Sequence, residues 1–439
     1  MSLSISENRT KNYFKQLKGS LLFKILAIGC SFLIIPLMIK YLGNEQYGIW
    51  STLLSIVSWI VLFDIGIGNG LRNKISEALA KDDNQEAQNY ISTAYVMIGL
   101  ISVLLLLVFL LASSFISWQS VFNTVVLSNE ELKDIVNITA SFLFVNFWLS
   151  LINQVFNGLQ KTSIVVFNQF LSNAFALICV VVLYSNFESS LFKLAFVYGL
   201  SLVMASVLLS IWFYAKNREF IPKIQNYGKK YVKSITSLGF QFFVIQIAVV
   251  VIFTTDKILI TQLFGPEYVT SYDVVFKLFS IITIAHSLLM APLWSAYSDA
   301  YHRNDMEWIK KTIKNQLKIY ILFIVATIAL GFLAKPIIGL WIGKEVFIDN
   351  MLIIAMCCFI LVSTWNNIFA FFINATNKLN IQINTSIIAM VINIPLSILF
   401  VRFFEMGVYG IVLATCVSLS FFAFFGSLQT LIILKGRNK

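Results

Sequence analysis

Twelve uninterrupted apolar runs of about 19 to 27 residues punctuate the 439-residue chain, and no other feature limits its fold as strongly. At 1.5 Å per residue, each run covers a hydrocarbon core roughly 30 Å thick as a single helix. Their limits are 21–39, 49–71, 91–111, 135–156, 164–184, 192–214, 238–263, 271–296, 317–340, 351–373, 381–401 and 408–434. All are apolar on every side, without the period-2 alternation of a membrane strand. The chain therefore reads as an all-α polytopic membrane protein and not as an outer-membrane barrel. With 58% of residues hydrophobic and 12% charged, neither a water-soluble nor a disordered body can be built.

The net charge of +11 would point to nucleic acid on a soluble protein, but here it has to be read loop by loop. With the N-terminus inside, 22 of the 32 Lys and Arg fall in cytoplasmic segments. Five fall in outer loops (Lys40, Lys133, Lys335, Lys344, Arg402) and five within spans or at their ends (Lys24, Lys193, Lys257, Lys277, Lys318). That asymmetry is the positive-inside pattern and places both termini in the cytoplasm. Most of the charge thus records topology, nucleic acid is not an expected partner, and a small positive remainder sits at membrane depth. Residues 1–20 lack a small-residue cleavage site before the first run, so it reads as a retained helix and not a signal peptide. The five cysteines all lie in apolar runs, as packing residues with neither disulfide nor metal-ligand spacing.

The chain resembles itself. A shift of 222 carries Gly43-Asn44-Glu45 onto Gly265-Pro266-Glu267, Ser76-Glu77-Ala78 onto Ser298-Asp299-Ala300, and Lys81-Asp82-Asp83 onto Arg303-Asn304-Asp305. A shift of 217 carries Asn157 to Lys161 onto Asn374 to Lys378. Six spans separate the copies, an even number, so this is a parallel repeat: two six-helix lobes, an arrangement of secondary transporters. The expected division is an N-terminal lobe 1–214, a cytoplasmic connector 215–237 and a C-terminal lobe 238–439. The connector carries Lys216, Arg218, Lys223, Lys229, Lys230 and Lys233; its length would permit relative motion, and its charge suits either an ordinary inside loop or anionic lipid head groups.

Ionisable residues inside spans are costly and mark either pathways or internal ion pairs. Lys24 stands about one turn from the inner end of span 1, within snorkelling reach. Asp64 lies deeper and opens Asp64-Ile65-Gly66-Ile67-Gly68-Asn69-Gly70-Leu71-Arg72, where alternate glycines weaken the helix and imply a bend. Arg72 falls about 80° around a regular helix from Asp64. The run is not a nucleotide-binding loop, because no strand precedes it. In the second lobe, folding the hairpin about residues 266 and 267 brings Asp256 level with Lys277, so an Asp256–Lys277 pair is expected, with Asp273–Lys277 as the other option. Lys257 or Lys277 could instead meet a phosphate. His286 falls on Asp64 at the 222 shift, a titratable group at the same depth in both lobes. On span 4, Asn146, Asn153 and Asn157 form a stripe, with Asn153 level with Asn168; such amides suit sugar hydroxyls or interhelical hydrogen bonds.

Tyr41-Leu42-Gly43 with Tyr47-Gly48-Ile49-Trp50, the Asp64 to Gly70 run, and Thr255-Asp256-Lys257 resemble the polysaccharide transport family over essentially the whole chain. Within the multidrug/oligosaccharidyl-lipid/polysaccharide flippase superfamily, the resemblance is to O-antigen flippases of the Wzx type; twelve spans speak against the fourteen usual for lipid II flippases. It implies alternating-access translocation of an undecaprenyl-diphosphate-linked oligosaccharide from the cytoplasmic to the periplasmic leaflet of the bacterial inner membrane, alongside membrane lipids and other polysaccharide assembly proteins. Lys24, Arg72, Lys257 and Lys277 are then candidate diphosphate contacts. Asp64, Asp256 and His286 are candidates for a coupling ion (H+ or Na+) or for charge partnering, and Asn153 and Asn157 are polar cavity candidates. No other cofactor and no metal site are expected. A multidrug-and-toxin-extrusion antiporter is the alternative on the same fold, although five span-embedded lysines against Asp64 and Asp256 favour an anionic substrate. An O-antigen polymerase or ligase would need a large outer loop, whereas the longest, 112–134, has about 23 residues. With only two histidines, His286 and His302, and no nucleophile–base set, an enzyme is not expected.

Overall fold

The computed structural model describes residues 5–60, 66–236, 240–290, 293–302, 305–343, 346–376 and 378–436. Sixteen α-helices and no strand occur among them. Among the described residues, ten helices are long and apolar enough to cross a membrane. The chain divides into two compact units, Met1–Gln46 with Val57–Phe243, and Tyr47–Ile56 with Val244–Lys439.

The first described helix is α1 (Ile5–Val57), of which Tyr47–Ile56 belongs to the second unit; its helical path breaks once, at Gly43 (φ 78°, ψ 171°). The loop expected between spans 1 and 2 is therefore only a kink, made by a residue free to adopt positive φ. Span 2, expected as one helix over 49–71, is two pieces: α1 ends at Val57, and α2 (Ile67–Ala80) restarts behind Gly66 at φ 79°. The bend expected from the alternate glycines is present; Asp64 itself lies outside the described residues. Gly70 has a separate reason to be glycine, since a Cβ there would run into the backbone carbonyl of Ile235.

α2 shows how sequence spacing sets burial. Ile67, Leu71, Ile75 and Ala78 recur at helical period and are buried, while Arg72, Asn73 and Glu77 face outward and are exposed. With α3 (Asn84–Ser113), α5 (Asn129–Leu149), α6 (Leu151–Gly158), α7 (Thr162–Asn186) and α8 (Leu191–Lys216), α2 builds a core that includes Ile75, Ala78, Ile91, Ile152 and Phe156. The short α4 (Trp118–Phe122) lies in the outer loop expected at 112–134.

The repeat is visible in the second unit residue by residue. α10 (Phe240–Leu263) and α11 (Pro266–Met290) meet at Gly265, φ 115°, the counterpart of Gly43. α12 (Leu293–His302) follows α11 in the chain. α13 (Met306–Trp341) starts 222 residues after α3, and Asp83 and Asp305 act alike as N-caps. The Asp83 carboxylate accepts from the Glu86 amide at 2.8 Å, and Asp305 from the Trp308 amide at 3.0 Å. With α14 (Asn350–Thr376), α15 (Asn380–Arg402) and α16 (Val408–Gly436), these helices enclose Tyr297, Ala300, Ile313, Phe369 and Ile373. Those five are Ile75, Ala78, Ile91, Ile152 and Phe156 displaced by 222 or 217.

The connector is not a loose strap. Gln88 donates to the Ile221 carbonyl at 2.8 Å, the Lys223 amide to Ser92 Oγ at 3.0 Å, and the Gly228 amide to Thr93 Oγ1 at 3.3 Å. Polar residues of α3 thus satisfy its backbone, and α9 (Lys229–Thr236) buries Ile235 in the first unit's core while Lys229, Lys230 and Lys233 stay exposed.

Candidate functional site

Ionisable and polar groups gather in the second unit where α10 and α11 pack side by side. Lys257 Nζ lies 2.5 Å from Asp273 Oδ1 and donates to Ser51 Oγ at 2.7 Å. Tyr47 donates to the other Asp273 oxygen at 2.6 Å, and the Thr52 and Thr261 hydroxyls bond at 2.7 Å. The Lys257 and Asp273 side chains are 18% and 16% exposed, so the pair is largely withdrawn from solvent. Gly48 allows this assembly, because a Cβ there would collide with the Pro266 carbonyl; the Tyr47-Gly48 dipeptide supplies both the hydroxyl and the close approach.

The ion pair is not the expected one. Asp256, 3% exposed, accepts from Tyr272 at 3.2 Å and from Thr415 at 3.2 Å, and Asn393 donates to Thr415 at 3.0 Å. The Asp256–Lys277 pair is thus replaced by hydroxyl donors, and the close ion pair of Asp273 is with Lys257, with Lys277 one turn along α11. Turn length is the cause. Both observed contacts, 256 with 272 and 257 with 273, span 16 residues, which centres the hairpin on Phe264-Gly265 and not on 266 and 267. Gly265 ends one helix and Pro266, preset at first-turn φ, starts the next. Successive residues on a helix point about 100° apart, so Lys257 and Asp256 enter different neighbourhoods. Ser51, Tyr272 and Thr415 went unselected in the sequence; Tyr47 entered only within the family motif, and Asp273 only as a possible partner of Lys277. A hairpin register set on the Gly265-Pro266 turn would have found Asp273 and Tyr272.

The other candidates are dispersed. Lys277 lies one turn beyond Asp273 on α11. His286, 1% exposed, packs edge-on to Phe323 with ring centroids 5.1 Å apart, and its Nδ1 has no hydrogen-bond partner. In the first unit, Lys24 donates to Gln169 at 3.1 Å and Arg72 is exposed on α2. Asn153 meets Asn168 as expected, at 3.0 Å; Asn157 donates to Gln154 at 3.2 Å, and Asn146 accepts from Ser206 at 3.0 Å. These amides bond to neighbouring side chains, the interhelical use in the Asn153–Asn168 and Asn146–Ser206 pairs.

The fold has solved counterparts. The inward-facing conformation of a multidrug resistance MATE family transporter of the MOP superfamily superposes with a TM-score of 0.80 at 14% identity, covering 95% of both chains. A MOP superfamily transporter from Pyrococcus furiosus, whose binding pocket is described as having reverse polarity, superposes with a TM-score of 0.65 at 15% identity over 97% of each. In sequence, a Yersinia pseudotuberculosis protein named for O-antigen export is 24% identical over 365 residues, 81% of this chain and 82% of its own. A Salmonella typhimurium (strain LT2) protein named as an O-antigen transporter is 23% identical over 438 residues, 94% of this chain and 95% of its own. The MatE family model matches residues 241–399, and the model described as polysaccharide biosynthesis protein matches residues 19–295, more than half of the chain. This multi-pass membrane chain belongs to the polysaccharide biosynthesis protein family.

Proposed function

We propose that the protein is a flippase for undecaprenyl-diphosphate-linked O-antigen or related oligosaccharide units. It would carry them from the cytoplasmic to the periplasmic leaflet of the bacterial inner membrane by alternating access, with both termini cytoplasmic and without chemical conversion of the cargo. The observation that carries this reading is similarity running nearly end to end to proteins named for O-antigen transport. The chemistry of the second unit supports it. Lys257 is a cation withdrawn from solvent whose partner, Asp273, is also held by Tyr47 and has Lys277 one turn away. A diphosphate oxygen can take the place of Asp273 on Lys257, leaving Asp273 with Tyr47 as a remaining donor. Asp256, caged by the Tyr272 and Thr415 hydroxyls, is the candidate for the coupling ion, H+ or Na+. Other polysaccharide assembly proteins are candidate partners.

The MatE match over 241–399 favours one other reading, cation-coupled drug efflux. Reconstitution in vesicles separates the two. Translocation of a lipid-linked oligosaccharide is the expected result; efflux of ethidium without oligosaccharide movement would overturn the proposal in favour of the antiporter.

A further inference from the structure

A groove of about 680 Å³ lies wholly inside the first unit, between α3, α5, α8 and the connector. Ser92, Val96, Gly99, Val103 and Leu106 line it from α3, alternately four and three residues apart, so one face of that helix forms its floor. At 1.5 Å per residue this stripe is about 21 Å long, more than the roughly 15 Å that one leaflet contributes to the hydrocarbon core. Trp148 forms a side wall. Its Nε1 donates to the Tyr95 carbonyl at 2.9 Å, and a Cβ at position 99 would stand 3.1 Å from that nitrogen, so Gly99 gives the ring its place. The exposed residues of α3 between Leu100 and Leu111 are all apolar, as lipid-facing positions are; Leu100 and Val103 among them line the groove, which is therefore open to lipid.

Four hydroxyls on the walls are already engaged. Tyr214 donates to Tyr95 at 3.3 Å, Ser210 to the Ser206 carbonyl at 2.7 Å, and Ser92, which donates to the Gln88 carbonyl at 2.7 Å, accepts from the Lys223 amide at 3.0 Å. An occupant therefore meets apolar surface along the groove and, at the connector end, Lys223, whose side chain is exposed. Among the described residues no ion pair involves Lys223 or any of the other five connector cations, and Glu219 is the one acid within 215–237. Ile224, 83% exposed, lines the same end, and Tyr227 is exposed three residues on. A bare isoleucine beside a tyrosine suits a segment resting at the membrane interface. The bonds from Gln88, Ser92 and Thr93 hold that segment on α3, so the cation is fixed at the groove's end.

This polarity selects the class of occupant. An apolar length that ends at an uncompensated cation matches an acyl chain below an anionic head group, and Lys and Arg clustered at the cytoplasmic ends of spans attract anionic lipids. A zwitterionic lipid would fill the apolar part equally but gain little from the connector's charge. Volume decides between two lipids that share a phosphate. About 680 Å³ holds roughly twenty groups the size of one water, ~30 Å³ each; one phospholipid chain fits, and an undecaprenyl chain exceeds it.

We propose that the groove is a site for one anionic phospholipid of the cytoplasmic leaflet, with an acyl chain along the α3 stripe and its phosphate at Lys223. This lipid is resident and not cargo, so the site does not depend on the flippase reading; only the choice of leaflet follows from the orientation proposed above. Native mass spectrometry of the full chain in detergent, titrated with dioleoylphosphatidylglycerol or dioleoylphosphatidylcholine, counts bound lipid. One phosphatidylglycerol is expected to bind at least about fivefold more tightly than phosphatidylcholine, the worth of one Lys near an anionic lipid. Lys223→Gln should abolish that preference and leave phosphatidylcholine binding unchanged. Val96→Trp, which fills the groove, should remove the site for both lipids. Lys233→Gln, on the exposed face of α9 and away from the groove lining, should keep most of the preference. Lys223→Gln alters an exposed side chain, and it decides the matter if Val96→Trp does not fold.

Equal binding of the two lipids overturns the proposal, as does a preference that survives Lys223→Gln or falls as far in Lys233→Gln. Tight phosphatidylglycerol binding to a folded Val96→Trp protein overturns it too, because the lipid would then sit elsewhere. Displacement of phosphatidylglycerol by an equal concentration of undecaprenyl phosphate would make the groove a seat for the cargo's lipid and refute the resident phospholipid.

Discussion

Removing one member of the Lys257–Asp273 pair should cost far more than removing both. At 2.5 Å and an effective dielectric of about 20, the attraction is about 7 kcal/mol. Withdrawing each ion from water costs several kcal/mol, so most of that attraction is offset and the pair contributes little against a well-packed apolar replacement. Lys257→Met leaves Asp273 charged and largely buried with Tyr47 as a remaining donor, and Asp273→Leu leaves Lys257 with Ser51. Each single variant is expected to lose roughly 3–5 kcal/mol, and the double variant Lys257→Met/Asp273→Leu only about 0–2 kcal/mol. The coupling energy is then at least about 4 kcal/mol, far outside the few tenths expected for independent sites. Reversible unfolding in mixed detergent micelles with increasing SDS, on all four proteins, measures it. Losses that simply add would show that the two groups do not act on each other in the folded membrane protein, and the hairpin register centred on Phe264-Gly265 would fall with them.

Further expectations follow from local geometry. Asp83→Ala and Asp305→Ala should each cost about 1 kcal/mol, because both carboxylates cap the first turn of equivalent helices; faster hydrogen exchange confined to the starts of α3 and α13 would register it. Gly48→Ala and Gly70→Ala should lose about 1–3 kcal/mol or more by driving a methyl into a carbonyl of Pro266 or Ile235. Gly29→Ala, with nothing within 4 Å, should be neutral or gain up to ~1 kcal/mol of helix propensity in the same unfolding assay. Glu77 is bonded to Lys74 at 2.7 Å and Lys81 at 3.0 Å, and these lysines hold its carboxyl down at about 2 against an ordinary 4.5. Its folded value is the lower one, so the stabilisation is complete above about pH 4.5 and is lost as pH falls towards 2; carbon-13 titration of Glu77 should show the depressed midpoint, and Lys74→Ala/Lys81→Ala should restore it.

Much of the candidate site was legible only as a set of residues. The costliness of charge at membrane depth singled out Lys257, Asp256 and Lys277, and the structure brings Lys257 into a polar group with Asp273, with Lys277 one turn along. The same argument named Lys24 and Arg72, which stand on separate helices of the first unit. Asn153 with Asn168 was predictable because that hairpin's register follows directly from its short loop. The Asp256 prediction failed because moving the centre of the turn by about two residues moves the residue level with Asp256 by about four along α11, a full helical turn.

Hydropathy, charge asymmetry and the repeat are properties of local sequence, and by themselves they determined an all-helical membrane chain made twice from one six-helix plan. They even located Gly43 with Gly265, and Asp83 with Asp305, whose matched backbone and capping roles are set within a few residues. The tertiary structure alone decided partners: that Lys257 meets Asp273 and Ser51, that Asp256 meets Thr415 from 159 residues away, and that the connector docks on α3. A side chain's partner depends on the rotation and translation of whole helices, which are fixed by turn length and by close approaches at positions such as Gly48, and no local period of the sequence encodes those quantities.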